Sequence, residues 1–505
     1  MNKFEKNKNL KLFNANLNNE IKSRKKKLEI LRKNSHVFMN NFKRNSTSNK
    51  LYLNFKNKNN EELKKLNINV SLIGRIISNR TMGKASFITL QDCEGIIQLY
   101  ISKNNLEKKI YNIYYKLCDL GDIINVYGVL FKTKTKELTV RCSKIYIVTK
   151  SLRPLPNKFH GLLNQDICYR QRYLDLISNK KTYEVFKIRS KIIYNIRNFM
   201  YEKNFMEVET PMMQTIPGGA VAKPFKTYHN DLNLDIYLRI SPELYLKQLV
   251  IGGFERIFEI NRNFRNEGLS RFHNPEFTMM ELYIAYSNYK DLMSLIENLF
   301  YYISIKIFGT HLVKYNGITF DFSKSFKKIS MKEAINFYNP EIKISVLNEI
   351  YTAKKLAQDM GIIINKNWKL GKIQYEIFEK TTIKYLKQPT FITHYPSDVS
   401  PLARPNDKNK FIADRFELFI YGNEIGNGFS ELNDSIEQSN KFSEQIKNDC
   451  NTNKLFNNKE YITALEYGLP PTAGLGIGID RLVMIFTNSQ NIKDVILFPT
   501  MRPKI

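Results

Sequence analysis

Two runs between residues 256 and 285 alternate polar and apolar positions. In the first, Phe258, Ile260 and Phe264 fall on one face of a predicted strand, and Glu259, Asn261, Asn263, Arg265 and Glu267 on the other. Residues 268–274 read as a loop carrying Arg271 and His273. A second strand follows Pro275, with Phe277, Met279, Glu281 and Tyr283 on one face. Paired as a hairpin, the strands would gather a guanidinium, two carboxylates, an aromatic ring and a phenol on one surface. Such a surface is either a ligand site or a solvated face with ordinary charge pairs.

The rest of the chain divides by period. Residues 1–16 read as disordered. In 17–33, Leu17, Ile21, Leu28 and Leu31 lie near one face of a predicted helix, with the basic cluster 22–27 opposite. That helix could grip a phosphate backbone or simply lean on the next domain. About five short strands follow between 67 and 150, among them 86–90, 95–101, 123–131 and 138–148, which predicts a small barrel of the oligonucleotide-binding, Greek-key kind. Residues 152–156, Leu-Arg-Pro-Leu-Pro, read as a hinge. From 183 to 205, Phe186, Ile188, Ile192, Ile193, Ile196, Phe199 and Met200 recur at helical spacing, and a strand at 206–210 ends at Pro211. Residues 310–400 insert helical segments (347–360 and 375–386) and a strand at 391–395. The expected domains are a basic tail and helix (1–66), a barrel (67–150), a linker (151–182) and a large C-terminal domain (183–505).

Composition changes this picture little. The 505 residues, 43% of them hydrophobic, can bury sizeable cores. No apolar run is long enough to span a bilayer and no secretory leader is evident, so a soluble, cytoplasmic protein is expected. The five cysteines form no CxxC pair, and neither a disulfide framework nor a zinc site is signalled. A net charge of +30 favours polyanionic partners, although an A/T-rich coding sequence would also yield abundant Lys. Its distribution is uneven: residues 1–66 hold 18 Lys and Arg against 5 Glu, a net of +13.

Phe264-Arg265-Asn266-Glu267 resembles motif 2 of class II aminoacyl-tRNA synthetases, and its flanks resemble the bacterial-type lysyl-tRNA synthetases. The 183–210 helix and strand are similar to motif 1, and the glycine-rich run 474–481 to motif 3. The resemblance implies an α+β architecture. An N-terminal OB-fold β-barrel would precede a catalytic domain on a mixed, mainly antiparallel sheet flanked by helices, the motif 1 elements forming a homodimer interface. It implies that Phe87, Gln98 and Glu137 read the anticodon of tRNA(Lys), and that Arg170, Arg172, Tyr173 and Asp175 pack a connector.

For the catalytic half it implies an ATP site of Arg265, Glu267, Arg271, His273, Asn274, Phe277, Glu417 and Arg481, with Arg265 and Arg481 catalytic. The planar fork of Arg265 suits bridging two anions, a substrate carboxylate and an α-phosphate. Mg²⁺ would bind through Glu417 and Glu424, hard oxygen ligands shared with the phosphates. L-lysine would be held by Gly219, Glu243, Arg265, Glu281, Tyr283, Asn427, Phe429 and Glu431. By the resemblance, Glu431 and Tyr283 take the ε-ammonium and Glu243 the α-amino group. An aspartate site would need a cation in this slot, and none of these matched positions carries one. Strict alternation separates Glu424 from the Asn427, Phe429, Glu431 face. Either Gly426 or Gly428 makes a bulge, or metal and amino acid lie on different sides. Lys223 stands where the family usually has arginine and Pro405 where it usually has a basic residue, and the lone Trp368 reads as core.

Overall fold

The structure, a computed structural model, describes residues 3–34, 37–38, 40–156, 164–448 and 459–503. The chain forms two compact units, Met1–Gly161 and Leu162–Ile505. Part of the expected linker (157–163) and Cys450 lie outside the described residues.

In the first unit, five strands close into a barrel: Asn69–Met82, Ala85–Gln91, Ile96–Ser102, Ile123–Lys132 and Leu138–Thr149. Alternation works as expected, with Ile88, Leu90, Leu99, Ile101, Val126 and Val140 filling the interior. The Lys108–Leu117 helix, not foreseen, lies between the third and fourth strands in sequence and buries Tyr111, Tyr114 and Leu117. The N-terminal helix runs Lys3–Asn34, so the expected disorder of residues 1–16 is corrected: described from residue 3, that stretch is helical. It contains no Gly or Pro to break the helix, which can propagate backwards from the packed turns at Leu28 and Leu31. Arg24 is not on a solvated face either. It is buried, and its guanidinium donates to the carbonyls of Leu120 (2.9 Å) and Ser151 (3.0 Å).

The second unit is organised on an eight-stranded sheet. Its order is Lys327–Ser330, Thr390–Thr393, Arg415–Ile420, Asn423–Ser430, Thr472–Gly478, Glu276–Ala285, Arg256–Phe264 and Met206–Glu207. Only the two outermost pairings are parallel. The Arg256–Phe264 and Glu276–Ala285 strands form the expected antiparallel hairpin, with Glu259 opposite Glu281. The predicted strand at 206–210 is shorter, two residues pairing with Ile257 and Phe258. The strands at 327–330 and 390–393 belong to the sheet itself, so the 310–400 segment is only partly an insertion; its helices have their own core of Ile335, Leu347, Ile373, Ile377 and Phe378. The Lys180–Glu202 and Tyr289–Phe308 helices cover one sheet face and bury Ile192, Ile196, Ile296 and Phe300 against it.

Residues expected as linker after 164 form short helices at Gln165–Arg170 and Arg172–Ser178. Arg172 is buried, paired with Asp175 at 2.6 Å and bonded to the carbonyls of Lys493, Ile496 and Leu497. These bonds tie the short helices to residues 493–497.

Candidate active site

The uncovered face of the sheet forms the floor of a cleft of about 1480 Å³. Strand alternation sends Phe277, Met279, Glu281 and Tyr283 into it, and Gly219, Glu243, Arg265, Glu267, His273 and Asn274 join them from the flanking segments. Glu417, Glu424, Asn427, Phe429 and Arg481 complete the set. Two expected residues do not line it. Arg271 is exposed and outside the lining, its carbonyl accepting from the Ile492 N–H at 2.8 Å, while its neighbours Phe272 and His273 line the cleft. Glu431 is buried behind the lining.

At one end the lining is acidic. Glu281 accepts from Ser241 Oγ at 2.8 Å and from the Tyr283 hydroxyl at 3.4 Å. Burial, together with the charge of Glu243, pushes its carboxyl up to about 8. The Tyr283 phenol is pushed well above its ordinary range, by burial first and then by Glu243, Glu281 and Glu431. Gly219 has φ +84°, and a β-carbon there would come within 2.9 Å of Glu243 Cβ, so only glycine brings this backbone against the slot. Gly474 leaves the space that Glu431 Oε1 occupies: a methyl there would sit 2.0 Å from it.

At the other end stand the groups suited to a nucleotide. Arg265 follows the last residue of its strand; its guanidinium lies 5.2 Å from the Phe277 ring centroid, and its Nε is buried without a hydrogen-bond partner. An orphaned guanidinium N–H in a cleft fits an absent anion. Arg481 donates to the Glu424 carbonyl at 2.6 Å and lies 3.0 Å from His273 Nε2. Burial and the Arg481 charge push the His273 imidazole down, so it offers a neutral ring. Asp480 ties the site to the covering helix: it accepts from the Thr278 N–H at 2.8 Å and pairs with Arg189 at 2.6 Å.

The open question about Glu424 has an answer. The pairing of Arg415–Ile420 with Asn423–Ser430 slips between Leu418 and Phe419, which face Gly426 and Glu424 respectively. Ile425 is the extra residue, one position before the expected Gly426, and it drops into the core. The bulge restores Glu424 to the Asn427 and Phe429 face. Glu417 lies on the facing strand, bonded to Arg415 (2.5 Å) and the Tyr395 hydroxyl (2.8 Å). Burial pushes its carboxyl up to about 7, with Arg415 opposing and Glu424 adding to the rise. Two neighbouring carboxylates whose like charges work against each other suit a divalent cation. Among the described residues no third acidic, His or Cys ligand joins them.

Several residues of the site were not foreseen. Arg415 reaches Asn427 Oδ1 (3.0 Å) as well as Glu417, and the buried Arg239–Glu259 pair (2.7 Å) braces the first hairpin strand. Trp368 packs against the insertion's core but also edges the cleft. Lys247 is buried between Glu243 and Glu431. Its i, i+4 spacing from Glu243 was the one signal available, and it reads as an ordinary surface pair.

In the barrel, Phe87, Gln98 and Glu137 do not point to the core. Phe87 meets Tyr100 across the strands, ring centroids 5.2 Å apart, and Tyr100 meets Phe131 at 6.0 Å. Gln98 accepts from Thr139 Oγ1 at 2.8 Å, two residues after Glu137. Aromatic rings beside amide and carboxylate groups can stack and hydrogen-bond unpaired bases.

Comparison with known proteins gives consistent matches. A family described as tRNA synthetases class II (D, K and N) matches residues 164–502, and an OB-fold nucleic acid binding domain matches residues 70–148. The lysine–tRNA ligase of Baumannia cicadellinicola subsp. Homalodisca coagulata is 60% identical over 492 residues, 97% of this chain and 97% of that protein. Those of Yersinia pestis (strain Pestoides F) and Yersinia pseudotuberculosis serotype O:1b (strain IP 31758) are each 58% identical over 489 residues, 96% of this chain and 97% of theirs.

Proposed function

We propose a set of residue roles from one premise: this chain belongs to the class II aminoacyl-tRNA synthetases of the aspartate, lysine and asparagine group. It is an enzyme that ligates lysine to tRNA. ATP activates L-lysine as lysyl-adenylate with release of pyrophosphate, and the lysyl group then passes to the 3′ end of tRNA(Lys).

Arg265 bridges the lysine carboxylate and the α-phosphate, which holds nucleophile and phosphorus in line and neutralises charge as it builds. Phe277 stacks on adenine, Glu267 accepts from its amino group, and Asn274 buttresses that strand end. Arg481 and His273 meet the outer phosphates, with Arg271 on the same loop as His273. Glu417 and Glu424 hold Mg²⁺, which would supply charge neutralisation at the phosphates. Glu243 takes the α-amino group beside Gly219. Glu281, Tyr283 and Glu431 take the ε-ammonium, with Asn427 and Phe429 lining its path.

In the barrel, Phe87 stacks on an anticodon base while Gln98 and Glu137 read edges. The enzyme works as a homodimer in the cytoplasm, where its tRNA is. Exposed Tyr194, Tyr201 and Met206 on and beside the Lys180–Glu202 helix supply apolar surface for a partner copy. Among the described residues no helix is long and apolar enough to cross a membrane.

One observation carries the lysine assignment: a buried acidic slot opens into the same cleft as an arginine with an unmet donor. ATP–pyrophosphate exchange with each amino acid in turn tests it. Exchange should depend on lysine, and equal stimulation by aspartate or asparagine would overturn the assignment.

A further inference from the structure

Lys247 places a cation directly behind a slot whose matched lining positions carry none. It lies one turn after Glu243 in the Glu243–Ile251 helix, so its side chain returns to the same face. The ammonium is wholly buried, donates to Glu243 Oε1 at 2.7 Å and pairs with Glu431 Oε2. The rings of Phe429 and Tyr461 stand 5.6 and 5.9 Å from it. The charged and titratable groups around this cluster are Glu243 on its own helix, Glu431 after the Asn423–Ser430 strand, Glu281 and Tyr283 on the Glu276–Ala285 strand, and Tyr461 on the Lys459–Glu466 helix. Arg265 and Arg239 act on Glu281 from farther off. Glu243 lines the cleft, whereas Lys247 does not. The ammonium is strapped behind the cleft wall, between two carboxylates assigned above to the two amino groups of lysine.

We propose that Lys247 is a positioning residue that sets the specificity of the slot: a buried ammonium that straps Glu243 and Glu431 at a fixed spacing as a pair of acceptors. The proposal rests on the lysine-slot reading. Three carboxyls buried together would repel one another and take up protons, and a neutral carboxyl is a poor partner for an ammonium. A shared internal cation opposes that repulsion at Glu243 and Glu431, the two carboxyls it touches. Because it is walled off, it does not occupy the place of the substrate's own ammonium groups. By fixing the distance between two acceptors, it also favours a diamino acid of one length.

The test uses the full chain with Lys247→Met and Lys247→Arg. Lysine KM, ATP KM and kcat are measured in pyrophosphate exchange from about pH 6.5 to about pH 9, with ornithine as the shorter competitor. The Met variant should raise lysine KM about tenfold while ATP KM stays within about twofold. Its lysine KM should also need a higher pH to reach its minimum, because Glu431 has lost the cation that opposes its protonation. The Arg variant keeps the charge and should keep the parent's pH profile, but its longer reach should narrow the preference for lysine over ornithine. Parental lysine KM and pH profile in the Met variant would overturn the proposal. So would equal loss in lysine and ATP KM with an unmoved profile, the mark of a merely structural role. Should the Met variant not fold, the Arg variant decides alone: a narrowed preference supports the proposal, and the parental preference overturns it. Failure of the parent itself to respond to lysine would overturn the slot reading instead.

Discussion

The two ends of the cleft meet their charges in opposite ways. At the acidic end the partners are largely internal: Ser241 and Tyr283 for Glu281 and Lys247 for Glu243, while Glu431 is ion-paired with Lys247 but its oxygens make no hydrogen bond. At the nucleotide end fewer groups are met from within: Arg481 holds the Glu424 carbonyl and His273, and Glu417 is bonded to Arg415 and Tyr395, but Arg265 Nε has no partner, and Glu267 and Arg271 stand exposed after the first hairpin strand. The acidic groups come from strands and a helix, whose main chain fixes them. The cationic groups come largely from strand ends and a loop. Recognition of one side chain among many needs a stiff, pre-satisfied slot, because each unmet buried acceptor is costly. Binding a polyphosphate needs free donors aimed at an anion that itself completes the network.

The sharpest way to break this comparison is Arg265→Lys. It keeps the charge but loses the planar fork, and kcat for pyrophosphate exchange should fall about 10³-fold. A loss below about tenfold would mean that the unmet Nε is not waiting for a reacting anion. Next comes Glu431→Gln, which should raise lysine KM about 100-fold and leave ATP KM nearly unchanged, since a buried charged pair contributes a few kcal/mol. Equal shifts in both constants would erase the distinction between the two ends.

The smallest effect is on pH. Glu281 is held as the acid up to about 8 by burial and Glu243, so lysine KM should fall as pH rises toward that value. A carboxyl raised in the fold stabilises it fully below its unfolded value, and that increment is lost as pH rises through the folded value. The melting temperature of the ligand-free parent should therefore fall relative to Glu281→Gln between about pH 5 and about pH 8. Parallel curves for the two proteins would show that Glu281 is not held protonated.

Much of this arrangement is legible in the sequence, because its main signals are short-range. Period-two alternation gives the hairpin at 256–285 and the barrel strands, and the motif residues follow from where that alternation points. What escapes depends on contacts far apart in sequence. Nothing local distinguishes Lys247 from a solvated i, i+4 partner of Glu243, since Glu431, which captures it, lies on a different element. Asp480 joins Thr278 and Arg189 only because a strand pairing and a helix crossing bring them together. Arg24 counted among a basic face, yet two carbonyls of the barrel domain draw it inside. The start of the N-terminal helix was missed for another reason: composition speaks to the burial a segment can achieve, and a helix propagating from packed turns needs little of its own.

The extra residue at Ile425 means that the reach of Glu424 is encoded in chain length rather than in any side chain. Were the pairing to run regularly through Ile425, that residue would take the cleft face and the carboxylate would turn toward the apolar interior, with every residue type of the site still present. A comparison of site residues alone would overlook such a slip.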